Sequence, residues 1–226
     1  MLLLALDTAT PAVTVALHDG RRVLAERTAH DPRRHGELLA PAVAAVLAEV
    51  GADRRDLTDV AVGTGPGPFT GLRVGLVTAR ALALALGLRL HGVCTLDVLA
   101  ADVGLDAGSV DEFVDGFDDG FVVATDARRR EVYWASYDAE GARSAGPHVD
   151  RAADVRRDGR PVVGRGAELY PEELGPAHGP LDPSAAALAR IVVTGVARGR
   201  AFDDTTALYL RRPDVMQAVP RKRVGL

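Results

Sequence analysis

The sequence predicts an α/β protein of two lobes, each built on a mixed sheet. Two observations carry that prediction. Over residues 1–103 the strand and helix patterns run in the order βββαβαβα. Beyond a glycine- and aspartate-rich stretch, the chain then begins a similar pattern again.

The elements of the first lobe follow from local chemistry. Leu2 to Leu6 is an unbroken apolar run that suits a buried strand. Asp7-Thr-Ala-Thr-Pro11 is a tight polar turn, and Val13, Val15 and Leu17 alternate as a second strand. Asp19-Gly20 marks a hairpin into a third strand from Val23 to Thr28. A nearly all-apolar helix is expected from Glu37 to Val50, closed by Gly51. Pro41 either belongs to its first turn or kinks it. Asp59 to Val62 is the fourth strand and Leu88 to Val93 the fifth, after which Thr95 caps a short helix ending near Asp102. This order is that of the ribonuclease-H-like unit from which actin-like (ASKHA) proteins are built.

The second half echoes the first. Val-Ala-Thr-Asp126 lies over Leu-Ala-Leu-Asp7, and Val163-Gly164-Arg-Gly166 over Val62-Gly63-Thr-Gly65. The identities are few, so a degenerate duplication and chance both remain open. No copy of the long helix pair is visible, so a reduced second lobe is expected, with Ser184 to Arg198 as its best helix. The expected organisation is a first lobe at 1–103, a linker at 104–120, a second lobe at 121–212 and a loosely held tail at 213–226.

Everything in the first lobe is arranged around Gly63-Thr-Gly-Pro-Gly-Pro-Phe-Thr-Gly-Leu-Arg73 and the helix after it, expected from Gly71 to Leu86 with Thr70 as N-cap. Gly71, Gly75, Ala79 and Ala83 form one row of small residues, a surface that lets a second backbone come close. Leu72, Leu76, Val77, Leu82, Leu84 and Leu86 cover most of the rest. This helix and Glu37–Val50 have little polar face to meet water. Either both are sandwiched within one domain, or they form an exposed pair larger than the few hundred Å² a monomer tolerates. The second reading makes them a docking surface. Its expected members are Leu38, Leu39, Ala42, Val43, Val46, Leu72, Gly75, Leu76, Ala79 and Ala83, with His35, Glu37, Arg73 and Arg80 as a polar edge.

Composition narrows the chemistry. The chain has 226 residues, 47% hydrophobic and 26% charged, ordinary globular values. A net charge of -4 gives no overall basic field for nucleic acid. The clusters Arg128–Arg130 and Arg221-Lys222-Arg223 can touch phosphate locally, or be a solvated hairpin and a frayed tail. A single cysteine, Cys94, excludes an internal disulfide and suits the cytoplasm. The apolar helix is interrupted by Arg73 and Arg80, so no membrane span is expected.

Catalytic motifs are sparse. The six histidines show no metal-ligand spacing, so no catalytic metal or cofactor is expected. There is no Gly-x-Ser-x-Gly element, and the glycine-rich loop lacks the Gly-Lys-Ser/Thr of a Walker loop. Asp7 ends the first strand, where actin-like ATPases place an acid near the metal-nucleotide, and Thr8 begins the turn that would face phosphate. Asp126 is its counterpart, but a bulky arginine turn follows where backbone amides should approach phosphate. Asp7 is therefore read either as a vestigial nucleotide site or as the cap of its own turn. A small actin-like ATP-dependent kinase using Asp7 is the alternative function; a protease is disfavoured by the missing nucleophile and metal motifs.

Leu4-Ala-Leu-Asp7-Thr-Ala-Thr10, His35-Gly-Glu-Leu-Leu39-Ala-Pro41, Gly63-Thr-Gly-Pro-Gly-Pro-Phe-Thr-Gly-Leu-Arg73-Val-Gly75, Asp126-Ala-Arg-Arg-Arg-Glu-Val-Tyr133 and Leu208-Tyr-Leu-Arg211 together resemble the TsaB (YeaZ) family. The resemblance implies two ribonuclease-H-like lobes without catalysis, no cofactor, and a role beside a catalytic sibling, TsaD. TsaD carries a metal-binding histidine pair that this chain lacks. It further implies docking on TsaD through His35–Val50 and Gly71–Leu86, with the ATPase TsaE joining the pair for threonylcarbamoyl transfer to the adenosine beside the anticodon of tRNA. Contact with tRNA is then expected only within the complex. Without TsaD the same helices are expected to pair with themselves. The chain departs from the family pattern at Gly36, where serine is common, and at Arg128–Arg130.

Overall fold

The computed structural model describes residues 1–103 and 117–211. The expected linker falls outside these over 104–116, as do the tail at 213–226 and its Arg221-Lys222-Arg223 cluster.

The first sheet is formed by β1 (Leu3–Asp7), β2 (Ala12–His18), β3 (Val23–His30), β4 (Asp59–Gly63) and β5 (Arg89–Val93), ordered β3-β2-β1-β4-β5. The Asp19-Gly20 turn makes β1 to β3 an antiparallel meander, while β4 and β5 run parallel to β1 after helical crossovers. Every residue of β1 is buried, which is why its sequence is apolar without a break from Leu3 to Leu6 rather than alternating. Leu4 and Leu6 point to one face, into a core shared with Val13, Val15, Val60, Val62, Leu39 and Leu72. Leu3 and Ala5 point to the other.

On the first of these faces lie α1 (His35–Val50) and α2 (Phe69–Leu86), side by side. Both end in a left-handed glycine, Gly51 and Gly87. Pro41 sits inside α1 on its solvent side. The start of α2 differs from the sequence expectation. It begins at Phe69, after Pro68, and no side chain caps it; Thr70 is an exposed residue of the first turn. A proline before the first turn fixes the backbone for helix entry without a side-chain acceptor.

The second sheet repeats the topology. Its strands β6 (Phe121–Asp126), β7 (Glu131–Tyr137), β8 (Arg143–Arg151), β9 (Val162–Val163) and β10 (Ala177–His178) are ordered β10-β9-β6-β7-β8. The pairings β6–β7 and β7–β8 are antiparallel, and β6–β9 and β9–β10 parallel, strand for strand as in the first lobe. Reduction shows in the lengths. The last two strands have two residues each; a single 3-10 turn, Ala152–Asp154, stands in the place of α1, and α4 (Arg165–Leu169) and α5 (Pro171–Leu174) together stand in the place of α2.

Two helices cross between the lobes. The α3 helix (Thr95–Val103) follows the first sheet in sequence, yet Leu96, Leu99 and Ala100 pack with Phe121, Val123, Ala135 and Tyr137 of the second. The α6 helix (Ala185–Ala197) follows the second sheet, yet Leu188 and Val192 pack on Leu3, Ala5, Ala16 and Ala61 of the first. Ser184 caps it, its hydroxyl accepting the Ala187 amide at 3.1 Å. This differs from the expected division, which gave α3 to residues 1–103 and α6 to 121–212: by packing, each helix serves the other lobe. After α6 the chain returns along the first lobe. The Gly92 amide donates to the Phe202 carbonyl at 2.7 Å, and the Leu208 amide to the Thr64 carbonyl at 2.9 Å.

Candidate partner-binding face and interlobe cleft

The loop between β4 and α2 is built by close approach. A Cβ on Gly63 would lie 1.8 Å from the Asp7 carboxylate, and one on Gly67 2.2 Å from the Ala9 carbonyl. Only glycine admits the β1–β2 turn at those points. The loop is also pinned to α3, through Thr95 N–H to the Gly65 carbonyl at 2.8 Å and Gly65 N–H to Thr95 Oγ1 at 3.1 Å.

The small-residue row of α2 faces inward, against the expectation that it meets a second molecule. Thr8 Oγ1 donates to the Gly71 carbonyl at 2.7 Å and accepts from the Gly75 amide at 2.9 Å. It thus bridges the two groups that an α-helix normally joins directly. A Cβ on Gly71 would meet the Thr8 carbonyl at 2.7 Å, and Ala79 is fully buried. The close backbone approach that the row permits is real, but the approaching backbone is the chain's own.

The expected docking residues therefore divide. Leu39, Val46, Leu72, Gly75, Leu76 and Ala79 are packed in the core, and Ala83 lies at its edge. His35 is also buried, its Nε2 2.8 Å from the Thr10 carbonyl. Leu38, Ala42 and Val43 are half-buried, and exposed Glu37 pairs with Arg34 at 2.7 Å. The polar edge on α2 is engaged by the chain's own C-terminal segment. Arg73 stacks on Phe69, 3.8 Å from its centroid, and its Nε donates to Tyr209 Oη at 3.2 Å; Arg80 donates to the Thr205 carbonyl at 2.7 Å.

What faces solvent is the opposite side of each helix. Leu84 is 88% exposed and Val77 61%, with Ala81 between them. Ala40, Pro41, Ala44 and Ala45 do the same on α1. They fall within the expected ranges His35–Val50 and Gly71–Leu86, but not among the docking residues singled out from sequence. The signal was present: Val77, Ala81 and Leu84 lie on the helix side away from the glycine row, and a row that must admit a backbone is the better candidate for the inside. By length and composition α2 is apolar enough to cross a membrane, but its inner row is packed on the first sheet.

Between the lobes lies a cleft of about 370 Å³, lined by Thr8, Thr10, His35, Thr70, Asp126 and Arg128 among others. Asp7 is not on its wall. The carboxylate is fully buried, accepting the Ala9 amide at 2.7 Å and the Thr95 hydroxyl at 2.8 Å, and burial pushes its pKa up to about 6. Asp7 ties β1 to α3, and Thr8 is spent on α2, so neither offers a free group to a nucleotide. Across the cleft, Arg128, Arg129 and Arg130 take φ of 65°, 55° and 62°. A left-handed conformation costs a non-glycine residue about 1 kcal/mol or more. Asp126 offsets part of it by accepting the Arg128 amide at 2.7 Å. The side chain of Arg128 reaches the cleft wall. Cys94 is buried beneath α3, its thiol pushed up to about 11 by burial, which is the opposite of an activated nucleophile. Among the described residues, no three His, Cys, Asp or Glu side chains converge as metal ligands.

Two lobes of matching topology, joined by exchanged helices and enclosing a cleft, define an actin-like protein of the ribonuclease-H-like class. A model for the family described as TsaD: tRNA N6-adenosine threonylcarbamoyltransferase matches residues 22–179. An uncharacterized protein of Mycobacterium tuberculosis is 42% identical over 214 residues, covering 93% of this chain and 92% of its own length. The tRNA threonylcarbamoyladenosine biosynthesis protein TsaB of Escherichia coli is 38% identical over 137 residues, 61% of this chain and 55% of its own. Among solved structures, YeaZ from Pseudomonas aeruginosa superposes with a TM-score of 0.73 at 28% identity, over 92% of this chain and 99% of its own. The chain belongs to the TsaD family of that description, in its TsaB (YeaZ) branch.

Proposed function

We propose that this chain is a non-catalytic scaffold that binds and stabilises a TsaD homologue during synthesis of threonylcarbamoyladenosine on tRNA, with a TsaE homologue joining the complex in the cytoplasm. One observation carries the reading: the exposed apolar face of α2, with Leu84 at 88% and Val77 at 61%, beside the alanine-rich solvent side of α1. Burial of such side chains stabilises an assembly by roughly 1.5–3 kcal/mol for each large residue fully removed from water. A two-helix face of this kind closes well against a like face. The same surface therefore serves a homodimer when the chain is alone. Names of relatives that refer to tRNA threonylcarbamoyladenosine support the choice of pathway. The sealed, doubly occupied Asp7 supports a scaffold over a kinase.

Co-purification with the TsaD homologue tests this. Val77→Asp and Leu84→Asp change exposed positions, so the melting temperature should hold while the partner is lost. Retention of the partner by both variants refutes the docking face.

A further inference from the structure

The face of the first sheet opposite α1 and α2 carries a second feature. Between α6 and the β2–β3 hairpin runs a groove of about 910 Å³, with an apolar floor that includes Val23, Ala101 and Ile191. Five arginines line it: Arg21 and Arg22 from the hairpin, Arg190 and Arg198 from α6 and its end, and Arg200 just beyond. His18 completes the wall, and no carboxylate among the described residues lines it. In a chain of net charge -4, this concentration of positive charge is local and one-sided.

The nearby acids, Asp19 and Asp102, offset only part of it. Asp19 accepts the Arg21 and Arg22 amides at 2.7 and 2.8 Å, which turns its oxygens to the hairpin backbone while its charge stays beside Arg22. Asp102 meets Arg190 at 3.4 Å, leaving the buried Arg190 Nε without a hydrogen-bond partner among the described residues. Arg21, Arg22, Arg198 and Arg200 form no ion pair among the described residues. The Arg200 guanidinium lies 4.8 Å over the Phe202 ring, which orients it and leaves its N–H edge free to donate. Planar guanidinium forks on a groove wall suit phosphate oxygens, by bidentate charge-assisted hydrogen bonds.

We propose that this groove binds the phosphodiester backbone of RNA. The proposal deepens the reading above and rests on it for the choice of RNA among polyanions, while departing from the expectation that tRNA is met only within the complex. The groove adjoins α6 on one face of the first sheet, while the docking helices occupy the other. RNA held there would leave the partner face free. Contacts of this kind position a nucleic acid without reading its sequence.

The test is fluorescence anisotropy of labelled tRNA with the full chain alone, from about 50 to about 200 mM salt. Binding should weaken with salt. Replacing Arg21, Arg22 and Arg198 together by Glu should weaken it at least about tenfold and reduce the log–log salt slope by about 2, at roughly 0.7 for each phosphate no longer neutralised. Arg22→Gln with Arg198→Gln, which reverses no charge, should move both readouts in the same direction at an unchanged melting temperature. The Leu84→Asp variant should keep its tRNA affinity, which separates failure of the docking face from failure of the groove. Affinity and slope unchanged in both arginine variants overturn the proposal. So does binding to phosphatidylglycerol vesicles in the absence of binding to tRNA.

Discussion

Thr8 Oγ1 accepts the Gly75 amide at 2.9 Å, and a Cβ on Gly75 would lie only 2.6 Å from that same oxygen. The turn after β1 is thereby threaded into the backbone of α2. This contact decides which side of α2 faces the core and which is left to solvent. The functional surface follows from it, because Val77 and Leu84 stand on the far side.

Adding bulk at Gly75 should therefore act on folding rather than on docking. Gly75→Val introduces a clash that cannot relax without moving Thr8. Overpacking of this kind typically costs about 1–3 kcal/mol. Removing glycine from a helix interior returns less than 1 kcal/mol when the replacement is β-branched. A net loss of about 1–2 kcal/mol is expected in urea denaturation. An unchanged midpoint would contradict the inward placement of the row.

Asp7 gives a pH signature. Its folded pKa of about 6 lies above the ordinary 3.8, because burial disfavours the charged form. Between those values the folded state holds more protons than the unfolded chain, so this group's contribution to stability falls as pH rises from about 4 to 6 and levels off above. The shift corresponds to about 3 kcal/mol lost by neutral pH. Asp7→Asn cannot ionise, so its stability should lack that falling component. The measurement is the urea midpoint of both proteins from pH 4 to 7. A difference between them that does not change with pH would contradict the assignment.

The C-terminal segment is held by a few separable contacts. Tyr209 packs on Phe69 with ring centroids 5.2 Å apart and accepts from Arg73, while Arg211 donates to the Ala127 carbonyl at 2.8 Å. Local openings of such weakly buried segments lie far below global unfolding in free energy. Tyr209→Ala should accelerate hydrogen exchange at the Leu208 amide about fivefold or more, for a loss of about 1 kcal/mol. Exchange in the core of β1 should stay unchanged, and acceleration there would show that the segment supports the whole lobe.

Much of the first lobe was legible because each signal was local. The all-apolar Leu2–Leu6 run, the Asp19-Gly20 turn and the glycines ending both long helices specify their elements with little help from the rest of the chain. Three things were not legible. The solvent side of α2 was not legible from composition, because Leu72, Leu76, Val77 and Leu84 surround the helix; only the glycine row marks which face the sheet takes. The exchange of α3 and α6 was hidden because a helix's partner sheet is set by tertiary packing rather than by its neighbours in sequence. The arginine groove was hidden because Arg21, Arg22, Arg190, Arg198 and Arg200 come from distant segments that only the fold assembles.

The most direct measurement is size-exclusion chromatography with light scattering, on this chain alone and after addition of the TsaD homologue. If one apolar face takes either occupant, the chain alone runs as a dimer. The partner then converts it to a one-to-one heterodimer, and Leu84→Asp abolishes both species at an unchanged melting temperature. A partner complex that still contains the intact homodimer, or a Leu84→Asp variant that forms both assemblies normally, would contradict it.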